Sequence, residues 1–177
     1  MGTMVIHCEW LLTMAEGQEP IHDAYLKIVD GRIVALGSWR ESVADHSTEV
    51  IDAQDKLVMP GLINTHTHAM VLFRSLADDL PLDSWLKEKI WPLEEKLTPE
   101  DVYHGTRLAI NEMLLSGTTT FADMYFFMDE VARAVEESGI RAVLARGLIG
   151  TDPAAEKKLE EAVELSKKWK GKADGRI

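Results

Sequence analysis

From residue 57 onward the sequence alternates short apolar, β-branched runs with longer stretches of helical periodicity, and that alternation limits the fold more than any other feature of the chain. Residues 57–68, 118–124 and 140–146 read as strands. Thr98-Pro99-Glu100-Asp101 opens a helix between the first two, with a threonine N-cap, proline in the first turn and acids near the positive end of the dipole. Its apolar positions Val102, Leu108, Ala109, Met113 and Leu114 run to Ser116-Gly117, a C-cap. Residues 129–138, closed by Gly139, and 153–170, closed by Gly171, read as two more helices, and Gly175-Arg176-Ile177 as the opening of a fourth strand. Apolar strands separated by helices imply a parallel sheet covered by helices. A complete eight-stranded barrel takes about 250 residues, so 177 residues that stop on a strand are expected to be part of a larger protein.

Residues 1–56 follow a different pattern and read as a small β domain, leaving 57–177 for the strand-helix units. Val5-Ile6-His7-Cys8 is a short strand, residues 24–29 and 32–37 form a hairpin about the favoured Asp30-Gly31 turn, and Glu49-Val50-Ile51-Asp52 adds another strand. So few strands make a poor independent core, and partner strands from elsewhere are expected. With 46% hydrophobic and 28% charged residues, no apolar run near the length of a membrane span and no signal-peptide pattern, a soluble cytoplasmic protein is expected. The single cysteine, Cys8, has no internal disulfide partner, which fits a reducing compartment. A formal net charge of -11 without a basic cluster disfavours nucleic acid and anionic membranes as partners, leaving a small-molecule substrate. Alternating charges over residues 156–172 read as a solvated helix face with i,i+4 pairs.

The first strand-helix unit carries the chemistry. Leu57-Val58-Met59-Pro60-Gly61-Leu62-Ile63-Asn64-Thr65-His66-Thr67-His68 is an apolar strand that pauses at proline and glycine, restarts, and ends in two histidines one residue apart. Residues i and i+2 of a strand share a face, so the two imidazoles can bind one transition-metal ion. The apolar approach, 57–63, reads as buried, and burying two imidazoles without partners is costly. In an α/β barrel the C-terminal strand end is where active sites are built.

With Asp30-Gly31-Arg32-Ile33-Val34-Ala35-Leu36-Gly37 ahead of it, the run to His68 resembles the opening of the amidohydrolase superfamily of metal-dependent hydrolases. Within that superfamily, His68-Ala69-Met70, Arg74-Ser75-Leu76-Ala77-Asp78-Asp79-Leu80, Trp85-Leu86 and Trp91-Pro92-Leu93-Glu94 resemble the 5′-methylthioadenosine/S-adenosylhomocysteine deaminase branch. The resemblance implies the amino-terminal part of a (β/α)8 TIM-like barrel, preceded by a small β-sandwich domain that this chain holds incompletely. It implies His66 and His68 as ligands of one divalent metal ion, zinc being expected, with further ligands from later strands. It makes Glu94, by position alone a solvated charge before a helix, the acceptor of hydrogen bonds from ribose hydroxyls. Arg146 closes the third strand and becomes a substrate-contacting group, its guanidinium suited to holding a carboxylate; the structural alternative is a pairing with a core acid such as Asp123. Some relatives carry a second arginine where this chain has Lys158, a point charge without a fork.

The implied reaction is hydrolytic deamination of the adenine of methylthioadenosine or S-adenosylhomocysteine by a metal-dependent aminohydrolase. A metal lowers the pKa of water toward about 7, and a carboxylic acid must protonate the ring nitrogen; no catalytic acid or base is assigned up to Ile177, and the chain by itself is expected to be inactive. The other zinc-deaminase plan needs a Pro-Cys-x-x-Cys run, which one cysteine excludes. Open alternatives are a guanine deaminase or triazine chlorohydrolase within the same chemistry, or a catalytically silent barrel used for assembly, and homo-oligomer formation stays open. His7, His22, His46 and His104 read as surface or packing residues, while Trp85, Leu86, Ile90 and Trp91 are expected beside the pocket or in barrel-to-helix packing.

Overall fold

The computed structural model describes residues 2–69, 71–148 and 155–177, and the chain divides into two compact units, Met1–Pro60 and Gly61–Ile177. The first is a four-stranded sheet in the order β3-β2-β1-β4, with β1 (Thr3–Leu11), β2 (Ile21–Val29), β3 (Arg32–Ser38) and β4 (Glu49–Val58). The hairpin turns where expected: Asp30 and Gly31 both take positive φ (49° and 76°), the geometry of a type I′ turn, which Asp-Gly adopts at low cost. β4 is longer than the four residues expected and runs parallel to β1, pairing Val5 with Val50 and Leu11 with Val58. Leu57 and Val58 therefore belong to this sheet. Cys8, Leu11, Ala24 and Ala53 form its buried core, with Cys8 acting as a small hydrophobe. Val34, Leu36, Val50 and Ile51 stay exposed, as a sheet with few covering partners requires.

The second unit holds a parallel sheet in the order β5-β6-β7, built from β5 (Leu62–Thr67), β6 (Thr118–Tyr125) and β7 (Arg141–Arg146). After β5 the chain passes through α1 (Leu82–Ser84), a π-helical turn (Trp85–Ile90) and α2 (Trp91–Glu94) before α3 (Pro99–Leu115); α4 (Met128–Ser138) follows β6, and α5 (Ala155–Trp169) follows β7. In the π turn the Trp91 N–H reaches back five residues to the Leu86 carbonyl. Helix α3 starts where Thr98 predicts: its side chain accepts from the Asp101 N–H at 3.2 Å while Asp101 accepts from the Thr98 N–H at 2.9 Å, a complete capping box. Tyr103, Ala109 and Ile110 of α3 and Ala134 and Val135 of α4 pack on Phe121 of β6 and Ala142 of β7. This is the helix-on-sheet core that the alternation implies. Pro153, the expected start of the third helix, lies outside the described residues, as does Met70.

Two expectations fail here. The approach to the histidines is not buried: Leu57, Leu62 and Ile63 are 51%, 53% and 66% exposed. β5 is the end strand of a three-stranded sheet, and no described element covers the face that Ile63 presents. Residues 175–177 are not a strand either. Ala173 and Asp174 take positive φ (53° and 56°) in α6 (Lys172–Gly175), and the chain turns tightly enough for the Gly171 N–H to donate to the Ile177 carbonyl at 2.7 Å. One strand-like bond is nevertheless made, because the Ala142 N–H at the outer edge of β7 donates to the Arg176 carbonyl at 2.9 Å. Among the described residues no helix is long and apolar enough to cross a membrane.

Candidate metal centre

The C-terminal end of β5 presents both histidines. Its pairing with β6 changes register between Leu62 and Ile63 and again between Asn64 and Thr67, and such bulges bend a strand and re-aim its side chains. The imidazoles of His66 and His68 lie with ring centroids 5.4 Å apart and planes at 88°. A ring nitrogen about 2.1 Å from zinc puts its ring centre about 3.2 Å from the ion, so two rings at a tetrahedral angle sit about 5.2 Å apart. The observed spacing fits one shared ion. His68 Nδ1 is 2.7 Å from the Met124 carbonyl oxygen. A carbonyl can only accept, so Nδ1 carries the proton and Nε2 keeps the lone pair that a metal takes. Among the described residues no group of three or more His, Cys, Asp or Glu surrounds one ion position, whereas a catalytic zinc normally has three protein ligands. The pair is one side of a coordination set.

The ends of β5 and β6 are also joined through Asp123. Its Oδ1 accepts the Ala69 N–H at 2.8 Å, its residue is only 3% exposed, and Oδ2 has no hydrogen-bond partner among the described residues. Burial pushes the carboxyl up to about 6, against the opposing pull of the Ala69 N–H and His68. Arg146 therefore has a different partner from the core acid considered above. Its Nε donates to Glu161 of α5 at 2.9 Å and its Nη1 to the Gly147 carbonyl at 3.0 Å, with the Phe126 ring 5.3 Å away.

Glu94 is drawn into the same neighbourhood. It closes α2, and the Tyr125 hydroxyl at the end of β6 donates to its Oε1 at 2.6 Å. Tyr125 is buried, its ring centre lies 5.9 Å from that of His68, and burial together with the Glu94 carboxylate holds the phenol well above the ordinary tyrosine range. A cleft of about 550 Å³ is lined by His68, Trp85, Ile90, Glu94 and Tyr125, and a larger one of about 1360 Å³ by Trp91, Glu94, Phe126, Arg146 and Glu161. Glu94 belongs to the walls of both. His66 borders neither, and Arg146 reaches only the larger. The remaining histidines have structural partners where contacts are seen: His7 stacks on Trp39 at 3.9 Å and bonds Asp23 at 2.7 Å, His22 meets Trp10, and His104 pairs with Glu100.

Residues 57–177 match the family model described as the amidohydrolase family. The chain belongs to that family. This amidohydrolase segment is 58% identical to a 5-methylthioadenosine/S-adenosylhomocysteine deaminase of Syntrophomonas wolfei, over 89% of this chain and 36% of the relative. It is 49% identical to a 5′-deoxyadenosine deaminase of Methanosarcina mazei, over 100% of this chain and 41% of the relative. It thus spans well under half the length of the curated relatives it matches. The crystal structure of an adenosine deaminase from Xanthomonas campestris with bound zinc superposes with a TM-score of 0.83 at 32% identity, over 94% of this chain and 39% of that one. The strand-helix units of the second unit are accordingly part of an amidohydrolase barrel.

Of two further residues in this neighbourhood, Tyr125 carries no assigned role in the sequence and Asp123 enters only as an alternative partner of Arg146. Their signal was their place at the end of a barrel strand, since Asp123-Met124-Tyr125 closes β6 as His66-Thr67-His68 closes β5.

Proposed function

We propose that the chain forms one wall of the active site of a cytoplasmic, zinc-dependent aminohydrolase that replaces the adenine amino group of 5′-methylthioadenosine or S-adenosylhomocysteine, consuming water and releasing ammonia. The observation that carries this reading is the shared cleft, in which a histidine with a free Nε2 and a carboxylate with a free oxygen face the same space of about 550 Å³. That volume suits a nucleoside-sized ligand. The names of the relatives support the substrate class, and the donor set of two imidazoles suits zinc.

His66 and His68 would hold the ion from this side. When bound, it supplies the means of activating water near neutral pH. The Met124 carbonyl fixes the tautomer of His68 and holds its ring against β6. Glu94 receives ribose hydroxyls on its oxygen not engaged by Tyr125. Trp85 and Ile90 supply apolar lining beside it, Trp85 being anchored by donating its Nε1–H to the Leu76 carbonyl at 2.6 Å. Arg146 is positioned to exchange Glu161 for the carboxylate of a homocysteine tail.

The test uses a polypeptide of the relatives' full length carrying this sequence, supplied with zinc and methylthioadenosine, following the adenine-to-hypoxanthine absorbance change and ammonia release. Turnover is expected; a filled metal site with no turnover of any adenosine derivative would sink the proposal. His66→Ala and His68→Ala should each lower metal content, and unchanged stoichiometry in both refutes their assignment.

A further inference from the structure

Tyr125 lies beside Glu94, His68 and Arg146 of the candidate site. Its hydroxyl donates to Glu94 at 2.6 Å, its ring faces His68 at 5.9 Å, and its backbone carbonyl lies 3.5 Å from Arg146 Nη1. Among the described residues the Tyr125 hydroxyl is the one hydrogen-bond partner seen for the side chain of Glu94, which ends a four-residue helix and has three rotatable side-chain bonds. A phenol has one proton to give, so it engages one carboxylate oxygen and leaves the other. Burial keeps that proton in place, because ionising the phenol beside a carboxylate would put two negative charges 2.6 Å apart.

We propose that Tyr125 is a positioning residue that pins Glu94 in one rotamer, with Oε1 engaged and Oε2 turned to the ribose, so that sugar recognition is set from the end of β6 beside the metal wall. This rests on Glu94 being the sugar acceptor. It goes beyond that role by placing the control of sugar selectivity on a second residue, which acts on the sugar through Glu94.

The experiment compares methylthioadenosine with its 2′,3′-dideoxy counterpart in the full-length, metal-loaded polypeptide. Tyr125→Phe keeps the buried ring and removes only the hydroxyl. The expected result is a KM for methylthioadenosine raised about tenfold, the scale of one hydrogen bond to a charged group, with kcat little changed and the dideoxy substrate unaffected. Equal losses on both substrates would mean a general structural role and overturn the proposal, as would no change on either. Glu94→Leu, which removes both acceptor oxygens, provides the control. If it leaves the preference for the ribosyl substrate intact, the sugar-acceptor reading itself fails; if it abolishes that preference while Tyr125→Phe does not, only the positioning role of Tyr125 fails.

Discussion

Asp123→Asn isolates the cost of holding a carboxylate inside the sheet-helix core. In the folded chain the carboxyl titrates at about 6, against an ordinary value of 3.8. Between those values the folded state keeps a proton that the unfolded state has lost, so stability is highest below the lower value, falls as pH rises through the window, and is flat above it. A shift of about two units corresponds to roughly 3 kcal/mol, and at 3% exposure little solvent screening reduces it. Asparagine preserves the oxygen that accepts the Ala69 N–H and removes the charge. Its amide hydrogens then occupy the site of Oδ2, where no described group accepts them, at a cost of about 1–3 kcal/mol that does not depend on pH. The variant's absolute stability is therefore a poor readout, and its pH dependence a good one. In urea titrations with EDTA, the wild-type midpoint should fall relative to that of Asp123→Asn by about 1.2 M between pH 4 and 7, since a little of the effect is already lost at pH 4, taking an m-value near 2 kcal/mol/M. Other carboxylates, such as those of Asp45 and Asp101 held low by hydroxyl and backbone donors, titrate alike in both proteins and cancel. Parallel curves across that range would refute the reasoning.

Thr98→Ala removes the oxygen that accepts the Asp101 N–H and the hydroxyl that donates to the Asp101 carboxylate, leaving only the backbone N–H of residue 98 on that carboxylate; a loss of about 1 kcal/mol is expected, and a urea midpoint unchanged from wild type would show the side-chain half of the capping box contributes nothing. Gly61→Ala places a Cβ 2.1 Å from Thr119 Oγ1 and 2.7 Å from Thr119 Cβ, an atom that no side-chain rotation can remove. β5 must shift against β6, costing about 1–3 kcal/mol, whereas Gly31→Ala, at φ +76° with open space around it, should cost only about 1 kcal/mol of backbone strain. Thermal unfolding distinguishes them, and an equal loss in both contradicts the clash.

Local chemistry was legible in the sequence where it depends on neighbours in the chain. The start of α3 follows from Thr98 and Asp101, and the β2-β3 turn from Asp30-Gly31, because both are settled within four residues. The His66-Thr67-His68 pair was legible in part for the same reason, its spacing setting both rings at one strand end, although the pairing of β5 with β6 is irregular there and His68 lies just past the strand. What could not be read was pairing across long separations. Glu94 and Tyr125 are 31 residues apart and meet only because α2 crosses the end of β6. Arg146 could have met any acid near the strand ends, and the geometry of α5 selects Glu161 over the nearer-looking Asp123. The burial assigned to 57–63 misread hydrophobicity as coverage: Leu57 ends one sheet, while Leu62 and Ile63 lie on the end strand of the other.

The π turn ahead of α2 gives the site a dependence on backbone winding as well as residue type. An α-helix advances about 100° per residue, and the wider turn over Trp85–Ile90 accommodates one residue more than that winding allows. Glu94 follows four residues after it, so the bulge fixes the azimuth at which its carboxylate leaves the helix. Rewinding the segment to α geometry with its length unchanged would swing Glu94 through about 100°, roughly a quarter turn, away from Tyr125. The side chains of both would be chemically untouched. The winding of this one turn is thus a route by which an otherwise unaltered wall could gain or lose the contact between Glu94 and Tyr125, without any change to either side chain.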